Sequence, residues 1–216
     1  MKKNWSFIIF IKALLLLGIY KFFYLDIKDE ELIMPVMTIY IEDYYFRRYP
    51  EVEYQYINKK RQAYKYFLTS GIKEGHGASP AFDVKYYLNY NQDLKNAFGD
   101  NYTAAYEHFI TFGKYEKRDL SPVFHLGFYI DKNPDVATIY PNDTDRIMDH
   151  FLRHGMNEGR PSSPNFNLKA YKVRNEDLKN IYQNDNIQYY YHYCMFGKEE
   201  GRKAVYEDDI HRLTIY

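Results

Sequence analysis

The sequence predicts an all-α fold: a tandem array of four repeats of roughly 42 residues, each of three short helices, preceded by an N-terminal hydrophobic helix. Three observations carry that expectation. A glycine recurs at Gly71, Gly113, Gly155 and Gly197, each step being 42 residues with no insertion or deletion. An acid follows three residues after it, at Glu74, Glu116, Glu158 and Glu200, and two further on stands His76, Arg118, Arg160 or Arg202. Between the glycines, aromatic and apolar residues fall at helical spacing, bounded by turn residues.

Charge and cysteine content narrow the class. Basic and acidic residues balance at 29 each, so no global basic field attracts nucleic acid. A single cysteine excludes an internal disulfide framework and a cysteine-based zinc site. With 26 Tyr and 15 Phe the chain has ample apolar area for a core. One elongated domain over residues 40–207 is expected.

At the N-terminus, Lys2 and Lys3 precede a mostly apolar run from Trp5 to Leu25, interrupted by Lys12 and Lys21. The run has marginal length for a spanning helix, which needs ~20 apolar residues. An uncleaved signal anchor over 1–25 is the leading reading, with a cleaved signal peptide as its main rival and a buried or surface helix as the third. Small residues of the A-x-A kind are missing where cleavage would fall. The basic flank, followed by Asp26, Asp29, Glu30 and Glu31, places the N-terminus inside and the repeats on the exterior or lumenal side. Residues 26–39 read as a connector.

The repeats then run 40–81, 82–123, 124–165 and 166–207, with 208–216 as a cap or truncated fifth copy. Each opens on an aromatic, Tyr40, Phe82, Phe124 or Phe166, with a tyrosine five residues on: Tyr45, Tyr87, Tyr129, Tyr171. A two-turn helix is expected there. Asn91-Gln92-Asp93-Leu94 and its counterparts Asn133-Pro134-Asp135-Val136 and Asn175-Glu176-Asp177-Leu178 read as the start of a second helix. In that reading Asn supplies the N-cap oxygen and the acid faces the dipole. The third helix is the longest, as in 103–112. The recurring glycine is expected to be its left-handed stop. Ser79-Pro80, Ser121-Pro122 and Ser163-Pro164 then form a connector that cannot continue a helix.

Candidate chemistry is sparse. His108, His150 and His192 share one repeat position, with Tyr66 in the first copy. Equivalent positions on stacked helices lie ~8–10 Å apart, too far for one ion, and tyrosine substitutes in one copy, so structural histidines are expected. His76, His125, His154 and His211 show no periodic pattern. Glu158 with Arg160, and their counterparts, could form a general acid and an anion clamp. Repetition in every unit argues instead for a structural loop, Arg reaching helix-end carbonyls or the preceding Glu. Cys194 replaces Leu or Ile in a core slot. Asn101-Tyr102-Thr103 and Asn142-Asp143-Thr144 are glycosylation sequons in form, and helix capping explains both equally well. No catalytic residue, cofactor or metal is expected.

The combined phrase Phe-Asp-x-x-Tyr-Tyr, Asn-Pro-Asp-Val, His-Phe, Gly-x-x-Glu-Gly-Arg, Ser-Pro-x-Phe resembles tandem repeats of bacterial surface proteins and giant-virus proteins, often beside glycosyltransferase domains. The resemblance covers residues 40–207 and departs at Tyr66, His76 and Lys117 and at the missing Ser-Pro of the last copy. It implies no chemistry for the repeat itself. The expected function is a non-catalytic, membrane-anchored interaction or scaffolding module with a protein or glycan partner. The alternative is an accessory or glycan-binding component of a glycosyltransferase or surface-glycan system.

Overall fold

The computed structural model describes residues 39–206. The expected anchor 1–25, nearly all of the connector 26–39, and the terminal segment 208–216 lie outside the described residues. Among the described residues, no helix is long and apolar enough to cross a membrane.

The described chain is mostly helical. First helices run Glu42–Arg48, Val84–Tyr90, Leu126–Lys132 and Leu168–Arg174, each starting 42 residues after the last. Second helices, Pro50–Tyr56, Gln92–Phe98, Pro134–Ile139 and Glu176–Tyr182, keep the same step, as do the starts of the third at Lys60, Tyr102, Thr144 and Asn186. The residue after each opening aromatic caps the first helix in three of the spans. Asp83 accepts from the Tyr86 amide at 2.8 Å, His125 Nδ1 from Phe128 at 3.1 Å, and Asn167 from Ala170 at 3.1 Å. Asn101 and Asp143 cap the third helices in the same way, each at 3.1 Å.

The second helix corrects the sequence reading. Asn91, Asn133 and Asn175 stand at its N-cap position, yet none makes a side-chain cap bond. Each amide instead donates at 2.8 Å to the carbonyl four residues back, on Tyr87, Tyr129 or Tyr171. The first and second helices meet at this single residue, so the ending helix leaves carbonyls without partners there. The Asn side chain serves that end. A second N–H from the same amide reaches a carbonyl on the connector, at Asp119, Pro161 or Lys203.

The third helix also differs. It does not stop at the recurring glycine: Gly71 and Gly155 have right-handed φ of −56° and −57°. The helix widens there into a π turn, Phe67–Gly71 or Phe151–Gly155, and resumes through Ile72–Glu74 or Met156–Glu158. In the last span a π turn occupies Tyr193–Gly197. The left-handed stop comes four residues later, at Gly75, Gly159 and Gly201 with φ of 72°, 66° and 68°. In the second span that place is held by Lys117 at φ 53°, where an L side chain is strained.

The Ser-Pro connectors fold into tight reversals. Asp119–Ser121 pairs antiparallel with Phe124–His125, and Ser79↔Phe82 and Ser163↔Phe166 form single bridges. With a parallel bridge between Tyr40 and Ala78, these are the small strand content of an otherwise α fold among the described residues. Serine hydroxyls tie one connector to the previous one: Ser121 donates to the Pro80 carbonyl at 2.5 Å and Ser162 to that of Val123 at 2.7 Å.

Aromatic rings fill the interior. Phe82 stacks on Phe109 at 3.9 Å and meets Tyr87 and Tyr106 edge-on. Tyr106 packs in turn on Phe67 of the preceding span and donates its hydroxyl to the His76 carbonyl. Tyr190 repeats this against Phe151 and the Arg160 carbonyl. Contacts are not confined to sequence neighbours, however. Tyr44 of the first span lies edge-to-face with Tyr191 of the fourth, centroids 4.9 Å apart. Lys198 of the fourth sits over Tyr86 and Tyr90 of the second. The expected elongated domain is therefore corrected: the spans wind back on one another, because the aromatic faces of the first helices are wide enough to bury against more than one neighbour.

Replacing Lys117 with glycine should remove left-handed strain without touching a core side chain. Lys117→Gly is expected to stabilise by ~1 kcal/mol, raising the melting temperature by ~2–4 °C in a domain of this size. An unchanged or lower melting temperature would count against the strain.

Candidate functional site

The recurring polar residues converge on one arrangement, which is the candidate site. In each span the tyrosine of the first helix reaches an imidazole: Tyr87–His108 and Tyr129–His150 at 2.9 Å, and Tyr171–His192 at 2.8 Å, each between the hydroxyl and Nδ1. The first span, where Tyr66 replaces the histidine, makes the same bond from another position. Tyr45 meets His76 Nδ1 at 2.9 Å, and Tyr66 turns its hydroxyl to Glu74 at 3.3 Å. His76 is aligned in sequence with Arg118, Arg160 and Arg202, so it showed no period; in space it completes the set.

The recurring glycine explains why the bond is possible. A Cβ on Gly71 would lie 2.8 Å from the Tyr45 hydroxyl, and one on Gly113, Gly155 or Gly197 would overlap the hydroxyl of Tyr87, Tyr129 or Tyr171. Glycine is required for close approach, not for a turn. Rings complete the box: Phe98 and Phe112 around His108, Tyr182 and Phe196 around His192, Tyr49 stacked at 3.9 Å on His76, and His154 beside His150. Thus His154, like His76 and His125, has a place in the structure that its spacing did not reveal. His211 lies outside the described residues.

The Glu and Arg of the phrase form a second layer on the solvent side. Arg118 grips Asp93 with two bonds at 2.8 and 2.9 Å, Glu116 at 2.5 Å and the Asn91 oxygen at 3.2 Å. Arg160 does so with Asp135, Glu158 and Asn133, and Arg202 with Asp177, Glu200 and Asn175. The expected partner Glu is present. The expected helix-end carbonyls are replaced by the acid of the second helix, 25 residues earlier. Each Arg therefore clamps the second helix to the loop after the third; Arg118 does so with the two-nitrogen fork of a bidentate carboxylate pair, whereas Arg160 and Arg202 hold both Asp oxygens through one terminal nitrogen.

Electrostatics follow from this packing. Burial pushes the four tyrosine hydroxyls above the ordinary phenol range, so they stay protonated. Burial likewise lowers His76, His108, His150 and His192. In the first span Glu74 sits 3.1 Å from His76 Nε2, which assigns the imidazole proton to Nε2 and leaves Nδ1 to accept from tyrosine. Arg118, Arg160 and Arg202 hold Asp93, Asp135 and Asp177 below the carboxylate range through their hydrogen bonds, and Arg160 does the same to Glu158. The recurring tyrosine hydroxyls, imidazole Nδ1 atoms, arginines and second-helix acids find their partners inside the chain. The arrangement can brace; its imidazoles are already committed to tyrosines.

An ion pair and a thiol lie partly buried away from these braces. Arg48 pairs with Asp83 at 2.7 Å and donates to the Tyr44 hydroxyl at 3.1 Å. Cys194 lies beside Tyr44, its thiol pushed up to about 12 by burial, so it is a protonated filler rather than a nucleophile. Among the described residues, no group of three or more His, Cys, Asp or Glu could hold a metal ion. Comparisons with family models, with curated proteins and with solved structures each return no match.

Gly155→Ala should force the Tyr129 hydroxyl off His150 and is expected to cost ~1–3 kcal/mol, the range for overpacking a filled core; a neutral substitution would show the contact to be loose. The lowered histidines and carboxylates act in one direction with pH. The unfolded chain binds more protons than the folded one, so their stabilisation is complete above the ordinary histidine value of about 6.5 and is lost as pH falls. Melting temperature is expected to decline from about pH 6.5 downward, with a further decline below about pH 4 as the aspartates titrate. A melting temperature that stayed level from pH 7 to pH 5 would contradict the role of the imidazoles.

Proposed function

We propose that the chain is a non-catalytic interaction or scaffolding module built from four tandem 42-residue units, held at a membrane by its N-terminal segment with the units on the exterior or lumenal side. One observation carries this reading. The polar residues that recur are used within the fold as tyrosine–histidine and arginine–carboxylate braces. Side chains with no such employment point outward from the second helices, where Tyr54 is 89% exposed and Ile139 and Ile181, at one repeat position, are 66% and 67% exposed. A layer that buries one apolar residue per helix, Val52, Leu94, Val136 or Leu178, and leaves others in water suits recognition of another molecule. The N-terminal run and the family resemblance supply the membrane and surface context.

A glycan-binding role is the second reading, favoured by exposed aromatic rings at Tyr54, Tyr90, Tyr115 and Phe196, since flat rings in water are the usual platform for sugar faces.

Cross-linking in intact membranes tests the first reading. Tyr54→Ala combined with Ile181→Ser should abolish the protein cross-links of the wild type while the melting temperature stays within about 0.5 kcal/mol equivalent. Cross-links that persist would remove the second-helix layer from the interface, and retention on a glycan surface lost with Tyr115→Ala would favour the second reading. Carbonate extraction should leave the full-length chain in the membrane pellet; its release would remove the anchor.

A further inference from the structure

The Asn142-Asp143-Thr144 turn offers a site that the braces do not use. Asn142 is exposed at the apex of the turn between the second and third helices, at φ 60°, and Asp143 closes that turn by donating its amide to the Tyr140 carbonyl at 3.2 Å. Left-handed backbone accounts for an asparagine here, as it does for Asn58 in the first span. Capping accounts for Asp143, which accepts from the Arg146 amide. Thr144 is accounted for by neither. Its hydroxyl is buried without a hydrogen-bond partner, and the equivalent positions carry Lys60, Tyr102 and Asn186, so the helix start needs no hydroxyl. A buried, unmatched hydroxyl is a cost to the fold. Placed two residues after an exposed asparagine, it is the group that a glycan-transferring enzyme reads.

We propose that Asn142 is an N-glycosylation site, a reading that rests on the exterior or lumenal placement of the repeats. The donor is a lipid-diphosphate-linked oligosaccharide. Asn142 Nδ2 gives up a proton to the transferring enzyme and bonds to the anomeric carbon, whose bond to the diphosphate oxygen breaks as the lipid diphosphate leaves with the electron pair. The exposed apex leaves room for the sugar in the folded protein. Of the two other sequons, Asn4-Trp5-Ser6 stands ahead of the expected anchor, outside the described residues, and Asn101 is different in kind: it is itself the cap of its helix, accepting from Ala104 at 3.1 Å, so the fold explains its side chain.

The test is translation of the full chain with endoplasmic-reticulum microsomes, read by protease protection and by the mobility shift that a peptide-N-glycosidase removes. Protected repeats with one glycosidase-sensitive step are expected. That step should be lost in Asn142→Gln and Thr144→Ala, and kept in Asn101→Gln and Thr144→Ser. The melting temperature of Thr144→Ala, made without microsomes, should equal or exceed that of the wild type, which separates loss of the sequon from loss of folding. Protected repeats without a shift, or a shift that depends on Asn101 alone, overturn the site and leave the topology standing. Repeats digested in intact microsomes overturn the topology and the site with it.

Discussion

A tyrosine hydroxyl buried against a bare glycine and bonded to an imidazole is the constraint on which each unit depends. A phenol can be buried cheaply only if its hydroxyl finds a partner, and the imidazole can reach it only where the intervening backbone carries no side chain. Two backbone solutions meet this requirement. In three units the third helix widens into a π turn at the glycine; in the second, the helix breaks at Phe112 and Gly113 begins a 3-10 turn. The hydrogen bond has the same length in both cases, to within 0.1 Å. The contact, rather than the helix type, is what the sequence preserves from unit to unit.

The first unit makes the same point with its side chains. It lacks the histidine of the other three and the arginine as well, yet His76, standing in the arginine's sequence place, swings its ring onto Tyr45. The imidazole arrives from the loop after the third helix instead of from the helix itself. What is lost is the clamp that Arg118, Arg160 and Arg202 make with the second helix. That clamp is half exposed and screened by solvent, so it is the expendable part, whereas an unmatched buried tyrosine is not.

Closure of the spans on one another sets the limits of the surface. Tyr44, Tyr191 and Lys198 join units that are far apart in sequence, which takes first-helix faces out of solvent. Among the described residues, the second helices keep most of their side chains in water. The partly buried Arg48–Asp83 pair, close to Tyr44 and Cys194, lies where the first, second and fourth spans meet. Such pairs are weak sources of stability, because the desolvation of both charges offsets much of their attraction.

The sequence by itself determined the helical class, the 42-residue step at which the described helices start and the positions of the core rings, because helical spacing and turn chemistry are local properties. It also marked the glycines, histidines, glutamates and arginines that the structure brings together. It misjudged what several of them do. Asn91 and its counterparts have the residue type of a cap, but a neighbouring helix end and a distant connector compete for the same amide, and only tertiary proximity decides between them. Gly155 has the type of a helix stop, but the φ of −57° and the tyrosine above it are facts about packing. His76 had no period to betray it, since its partner is 31 residues away in sequence and hydrogen-bonding distance away in space. Which face of each unit meets which other unit was likewise decided by the tertiary structure, because burial between spans depends on the angle at which one helix pair stacks on the next, and no spacing along the chain encodes that angle.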